Sequence, residues 1–192
     1  MAHVSIIGTG TMGSAIAGIV TKGGNSVEVF NRSDADKPLT GDVVVLAVPY
    51  PSVGEIIAER GDQLAGKVVV DITNPLNFET FDSLVVPADG SAAAEIAAAL
   101  PQSRVLKAFN TTFAATLASG SVDGAVPTTV LVAGDDADAK TLLVGVIAAG
   151  GLQAIDAGAL SRARELEALG FLQLTLAASE KIGWTGGFAV VA

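Results

Sequence analysis

The sequence predicts an α/β fold: a doubly wound, mainly parallel sheet with a C-terminal helical portion. Three observations predict it. Short β-branched runs alternate with longer helical patterns, several of those runs are apolar throughout, and a glycine-rich turn joins the first run to the first helix. A strand apolar on both faces belongs to a sheet covered on both sides. The 192 residues fit one domain with a modest appendage, divided here into residues 1–158 and a helix and tail at 159–192 that completes the cleft and a dimer contact.

The first strand is expected at 3–7 (HVSII). Met12, Ala15, Ile16, Ile19 and Val20 then follow the spacing of one helix face, Gly23-Gly24 closes that helix, and 26–30 (SVEVF) is the second strand of a βαβ unit. Only eleven residues separate Phe30 from Asp42, too few for the helix, strand and further helix that usually follow. The sheet is therefore trimmed here, and the run at 43–48 (VVVLAV) is expected on the other side of the first strand. "SDADKP" holds one turn at most before Pro38. Pro51 and Ser52, with Glu55 three residues on, form a capping-box signature for a second helix. Further strands are expected at 67–71 (KVVVD), 104–109 (RVLKAF), 129–133 (TVLVA) and 152–156 (LQAID), and helices at about 91–100, 136–149 and 161–181. The last helix is apolar nearly all round from Ala168 to Ala178, so burial is expected in the core or against another subunit.

Composition removes several function classes. No cysteine is present, which excludes disulfides, thiolate metal sites and cysteine nucleophiles. A formal net charge of −9 argues against nucleic acid or an anionic membrane as partner, so an anionic ligand must meet a local positive field. The uncharged stretch at 141–155 is shorter than the roughly 20 residues of a membrane helix and carries Gly-Gly. The first basic residue, Lys22, comes too late for a signal peptide. A cytoplasmic protein is expected. Asp135 and Asp136 precede a helix, where capping rather than metal binding is expected, and no metal site is assigned.

"GTGTMG" places Gly8, Gly10 and Gly13 in G-x-G-x-x-G spacing, directly after a strand and opening a helix. Gly8 makes the tight turn, Gly10 lets backbone approach a pyrophosphate, and Gly13 lets helix and strand pack closely. The unpaired amides of the helix start supply the positive field that the acidic surface lacks. This is a Rossmann-like dinucleotide site. At the end of the second strand, where an acid would take the ribose hydroxyls of NAD, stand Asn31, Arg32 and Ser33. A guanidinium there suits the 2′-phosphate of NADP, unless Asp34 or Asp36 takes it in a surface ion pair; Lys37 is a further candidate for the phosphate. At the other carboxyl ends stand Val48-Pro49-Tyr50, Thr73-Asn74-Pro75 and Asn110-Thr111-Thr112. The cofactor set is thus Gly8, Thr9, Gly10, Thr11, Met12, Gly13, Asn31, Arg32, Ser33, Lys37, Val48, Pro49, Tyr50, Thr73, Asn74 and Pro75, with Asn110, Thr111 and Thr112 facing the acceptor.

With "NRS", "VVVLAVP", "DITNP", "SAAAEIAAALP", "VLKAFNTT", "VLVAGDD" and "DAGALSRARELEAL" in order after the glycine motif, the chain resembles the NADP-dependent oxidoreductases that include deazaflavin-coenzyme:NADP oxidoreductases. "KAFNT" is also similar to the NADPH domains of six-transmembrane ferric reductases. The resemblance implies a homodimer with NADPH in the cleft and hydride transfer to a deazaflavin without a metal. Members acting on the deazaflavin tend to carry a histidine where this chain has Phe109-Asn110-Thr111, so a flavin stays open as acceptor. The residue inventory agrees with simple hydride transfer. His3, the one histidine, sits at the far end of a strand in a structural role, and Lys107 lies within a strand, snorkelling or paired. Tyr50 either stacks on the nicotinamide or packs under the helix that follows. Arg162, Arg164, Glu165 and Glu167 are expected on a solvated face or a dimer rim. Trp184 to Phe188 either closes over the acceptor or covers a partner subunit. The alternative function is a non-catalytic NADP(H)-binding redox sensor.

Overall fold

The computed structural model describes residues 1–191. Strand β1 (His3–Ile7) leads through helix α1 (Thr11–Lys22) to β2 (Ser26–Phe30). A single helical turn, Arg32–Asp34, then precedes β3 (Val43–Leu46). Helix α2 (Val53–Leu64), β4 (Val68–Asp71), helix α3 (Ala92–Ala99) and β5 (Arg104–Lys107) follow. Beyond them come helix α4 (Ala114–Ser119), a small hairpin of β6 (Ser121–Val122) and β7 (Val126–Pro127), β8 (Thr129–Gly134), helix α5 (Ala137–Ala149), β9 (Gln153–Gly158) and helix α6 (Ala163–Ala178). No helix among the described residues is long and apolar enough to cross a membrane.

Seven strands form one sheet in the order β2-β1-β3-β4-β5-β8-β9. The trimmed connection behaves as its length requires: β1 pairs in parallel with β2 on one side and β3 on the other. The five strands from β2 to β5 are parallel, whereas β8 meets β5 antiparallel and β9 pairs parallel to β8, so the last two strands run against the rest. The hairpin, which periodicity does not reveal because its strands have two residues each, delivers the chain to β8 in that reversed direction.

Alternate residues of the apolar strands feed two cores. Val4, Ile6, Val43, Val45, Val68, Val70 and Leu106 face α1, α4 and α5 through Ile16, Ile19, Leu117, Leu143 and Ile147. Ile7, Val44, Leu46, Val69 and Val105 face α2 and α3 through Val53, Leu64, Ile96 and Leu100. Burial on both faces is why these runs carry no polar alternation.

Three local expectations are corrected. Ser52 has helical dihedrals and no side-chain cap bond, because a helical turn at Tyr50–Ser52 already continues into α2. Asp136 does cap α5, accepting from Ala139 N–H at 2.7 Å, but Asp135 instead accepts from Leu160 N–H and ties down the approach to α6. Helix α6 turns Leu166, Gly170, Gln173 and Ala177 to the core and leaves Leu172 49% exposed, so the core alone does not bury it. Glu167 leaves the solvated face expected for it and is fully buried, whereas Arg162 and Glu165 form an exposed pair at 3.6 Å.

Candidate functional site

The parallel strands end at a crevice on their carboxyl side. Gly8 follows β1 with φ of 125°, and its amide donates to the Phe30 carbonyl at 2.9 Å, binding the turn to the end of β2. A Cβ at Gly8 would lie 2.0 Å from the Ala47 carbonyl oxygen, and one at Gly13 would lie 2.2 Å from that of Gly8. At Gly10, the N-cap of α1, a Cβ would meet nothing within 4 Å. The first two glycines are therefore required by the protein's own packing, and the third opens on empty space above bare helix amides. Such an end attracts anions.

The side of the crevice expected to take the adenosine half is a cavity of about 480 Å³ whose wall includes Gly8, Thr9, Phe30, Asn31, Arg32, Val48 and Pro49. Asn31 caps the turn after β2 through its Oδ1, which accepts from Ser33 N–H at 2.7 Å and from the Ser33 hydroxyl at 2.6 Å. Asp34 closes the box by accepting from Asn31 N–H and pairs with Lys37 at 2.7 Å. Lys37 beside it holds the Asp34 carboxyl below the usual carboxylate range. The competing aspartate is thus engaged by Lys37, and Arg32 makes no ion pair among the described residues. Lys37 itself does not line the cavity.

The second cavity, about 450 Å³, is walled by Thr11 and Met12 of α1, Ile72 and Asn74 after β4, Asn110 and Thr112 after β5, and Phe113, Leu174 and Trp184. Phe109 takes a left-handed φ of 63° while fully buried, a conformation that costs a bulky residue on the order of 1–3 kcal/mol and turns the chain sharply after β5. The turn aims Asn110 at its neighbours. Its Nδ2 donates to Asn74 Oδ1 at 3.0 Å and to the Leu166 carbonyl at 2.8 Å, and Asn74 Nδ2 donates back to the Asn110 carbonyl. Asn110 Oδ1 is left buried with no partner. Gly170 lets α6 approach this pair, since a Cβ there would stand 2.3 Å from Asn74 Oδ1. Trp184 stacks at a tilt on Phe113 with ring centroids 4.9 Å apart, which places the tail against the cavity.

Beneath this cavity lies a buried ionic cluster. Lys107 Nζ donates to Asp71 at 2.7 Å, to the Thr73 carbonyl at 2.6 Å and to Glu167 at 2.8 Å. Glu167 also accepts from Ala92 and Ala93 N–H at the start of α3. Burial pushes the Glu167 carboxyl above its ordinary range, and Lys107 opposes that push only in part. Lys107 pairs, as its strand position allows; the acids it pairs with carry no local sequence signal beyond an Asp ending an apolar run.

Several anticipated residues lie elsewhere. The Tyr50 hydroxyl donates to Glu95 of α3, its ionisation made harder by burial and by that carboxylate, and it lines neither cavity. Thr73, Pro75 and Thr111 are buried beside the crevice without lining it. Arg60, Ile56 and Glu59 of α2 line the adenosine-side cavity and were not anticipated. Their signal was Arg60 falling on the apolar stripe of Val53, Ile56, Ile57 and Leu64.

Known proteins resemble this chain in sequence and fold. Residues 34–75 match the family described as "NADP oxidoreductase coenzyme F420-dependent". An F420-dependent NADP reductase of Methanocaldococcus jannaschii is 32% identical over 172 residues, 88% of this chain and 76% of the relative. The metalloreductase STEAP3 of Rattus norvegicus is 29% identical over 86% of this chain, which spans 36% of that protein. A crystal structure of a "putative f420 dependent nadp-reductase" from Arthrobacter sp. FB24 superposes with a TM-score of 0.86 at 24% identity over the whole of both chains and shows the shared fold.

Proposed function

The chain belongs to the family of coenzyme F420-dependent NADP oxidoreductases, and from that premise we propose that it moves hydride between NADP(H) and the deazaflavin coenzyme. The observation that carries the cofactor half is Arg32, exposed and without an ion pair in the wall of the adenosine-side cavity. Its guanidinium takes the 2′-phosphate, and the bare amides behind Gly10 take the pyrophosphate. Asn110 Oδ1, an unpartnered buried acceptor beside the second cavity, suits the carboxamide N–H of the nicotinamide.

Bound NADPH supplies the hydride. What remains for the protein is to hold two flat rings in register and keep water out. Ile72, Met12, Phe113 and Trp184 provide apolar walls, and no titratable side chain lines the cavity. Chemistry by orientation needs none, since a hydride acceptor of the flavin type asks for no alkoxide proton. We also infer a homodimer formed through the outward side of α6, where Leu172 is exposed.

Incubation of the purified protein with NADPH and the deazaflavin coenzyme, followed by loss of nicotinamide absorbance, tests the reading. Turnover with the deazaflavin and little with flavins or ferric chelates is expected. Tight NADPH binding with no turnover on any acceptor would replace the enzyme with a redox sensor.

A further inference from the structure

Arg60 is the only arginine among the buried polar side chains, 5% exposed, and sits on the apolar stripe of α2. Its Nη2 donates to three carbonyls of one surface turn, those of Asp34, Ala35 and Lys37, the last two at 2.7 and 2.9 Å. Its guanidinium carbon stands 5.4 Å from the centre of the Phe30 ring, and Nη1 is buried with no partner. No carboxylate pairs with it among the described residues. A buried cation without an acid is costly unless something anionic arrives. Arg60 lines the same cavity as Arg32, and the turn it grips begins with Arg32 and Ser33.

The ionisable groups of that cavity are the cations Arg32 and Arg60 and the anions Glu55 and Glu59. With Arg60 the wall is formally neutral; without it the wall is anionic. An unphosphorylated ribose is indifferent to that change, but a 2′-phosphate, close to a dianion, is not.

We propose that Arg60 is a specificity-determining positioning residue for NADP: it pins the turn that presents Arg32 and Ser33 and sets a second positive charge behind the 2′-phosphate. The proposal rests on the reading that Arg32 receives that phosphate. It separates two tasks that one arginine cannot perform, since the surface guanidinium must stay free to meet the ligand while the buried one is held by carbonyls.

Dissociation constants for NADPH and NADH, measured on the full chain with thermal melting recorded for each variant, test it. Arg60→Gln removes the charge and is expected to weaken NADPH about tenfold or more while NADH changes by less than about threefold, a loss of the size of one charge-assisted contact. Arg60→Lys keeps the charge but its ammonium stands about one bond short of the Nη2 position that meets the three carbonyls, so the NADPH:NADH preference is expected to fall by about threefold, and this variant serves should the glutamine form not fold. Equal weakening of both cofactors in either variant would overturn the proposal and leave Arg60 a structural brace. Arg32→Ala, run in parallel, keeps the two readings apart. If it too fails to discriminate, the phosphate site itself is misplaced; if it discriminates and Arg60→Gln does not, only the role of Arg60 falls.

Discussion

Gly10 and Gly13 share one turn and answer to different constraints. At Gly13 a side chain would collide with the Gly8 carbonyl, so the fold itself excludes one. At Gly10 the backbone, with φ of −71°, is ordinary for any residue and the side-chain direction is open. Serine is a preferred N-cap residue, able to accept from the amides that the glycine leaves bare. Gly10→Ser is therefore expected to hold stability or raise it by roughly a few tenths of a kcal/mol while weakening NADPH about tenfold or more, because the hydroxyl fills the cradle and competes for its amides. Melting temperature and cofactor affinity measured together check this. Parallel losses of both would mean that the glycine serves packing and not the ligand. The glycine spacing and Arg32 were legible in the sequence because a turn motif and a strand end are local. Arg60 was not, since its role depends on a turn more than twenty residues away.

At the scale of elements, the ends of β4, β5, α3 and α6 meet on the Asp71, Lys107 and Glu167 cluster, directly under Asn74 and Asn110. The cluster sets the height of α6 above the crevice, and Gly170 permits the close approach. Glu167→Gln keeps one acceptor oxygen but puts an amide N–H2 where the other accepts from Lys107 or an α3 amide, leaving a buried donor unpaired at an expected cost of about 1–3 kcal/mol in a denaturant titration. The pH dependence carries a sign. The Glu167 carboxyl is raised in the folded protein above its ordinary value of 4.5, chiefly by burial. Between those two values the folded state holds a proton that the unfolded state has released, so stability falls as pH rises. This contribution is complete below the ordinary value and is gone once pH passes the raised one. The Gln variant is expected to lack that segment of the stability profile, and an unchanged profile would contradict the assignment. On the acid side the sign reverses for Asp34 and Asp156, lowered by Lys37 and Lys140, whose contributions disappear as pH falls.

Across the whole molecule, a chain of net charge −9 has to gather a polyanionic cofactor, and at one end of the sheet it sets the α1 amides beside Arg32 and Arg60, two cations that offset Glu55 and Glu59 in the same wall. Apolar side chains are exposed on α6 and the tail, where Leu172 is 49% exposed, Trp184 54% and Phe188 43%, as they are at Phe78 and Val85 of the loop after β4. Trp184 also walls the second cavity, so a subunit contact on this side would border the site. Leu172→Glu, placed outside both cavities, is expected to shift a dimer to monomer in sedimentation at equal concentration, with the melting temperature little changed for an exposed position. A wild-type chain that sediments as a monomer would remove the dimer inference.

The sequence by itself determined the βαβ opening, the trimmed connection after β2, the apolar strands and the carboxyl-end loops that form the crevice. Each is a local matter of periodicity, turn chemistry or chain length, written within a dozen or so residues. Only the tertiary structure decided that β8 and β9 run backwards, that Tyr50 turns to Glu95, that Glu167 is buried on Lys107, and that Arg60 supports the turn beside Arg32. Whether a charge faces water or a distant partner is settled when remote elements pack and the dielectric around it changes, and no short stretch of chain contains that information.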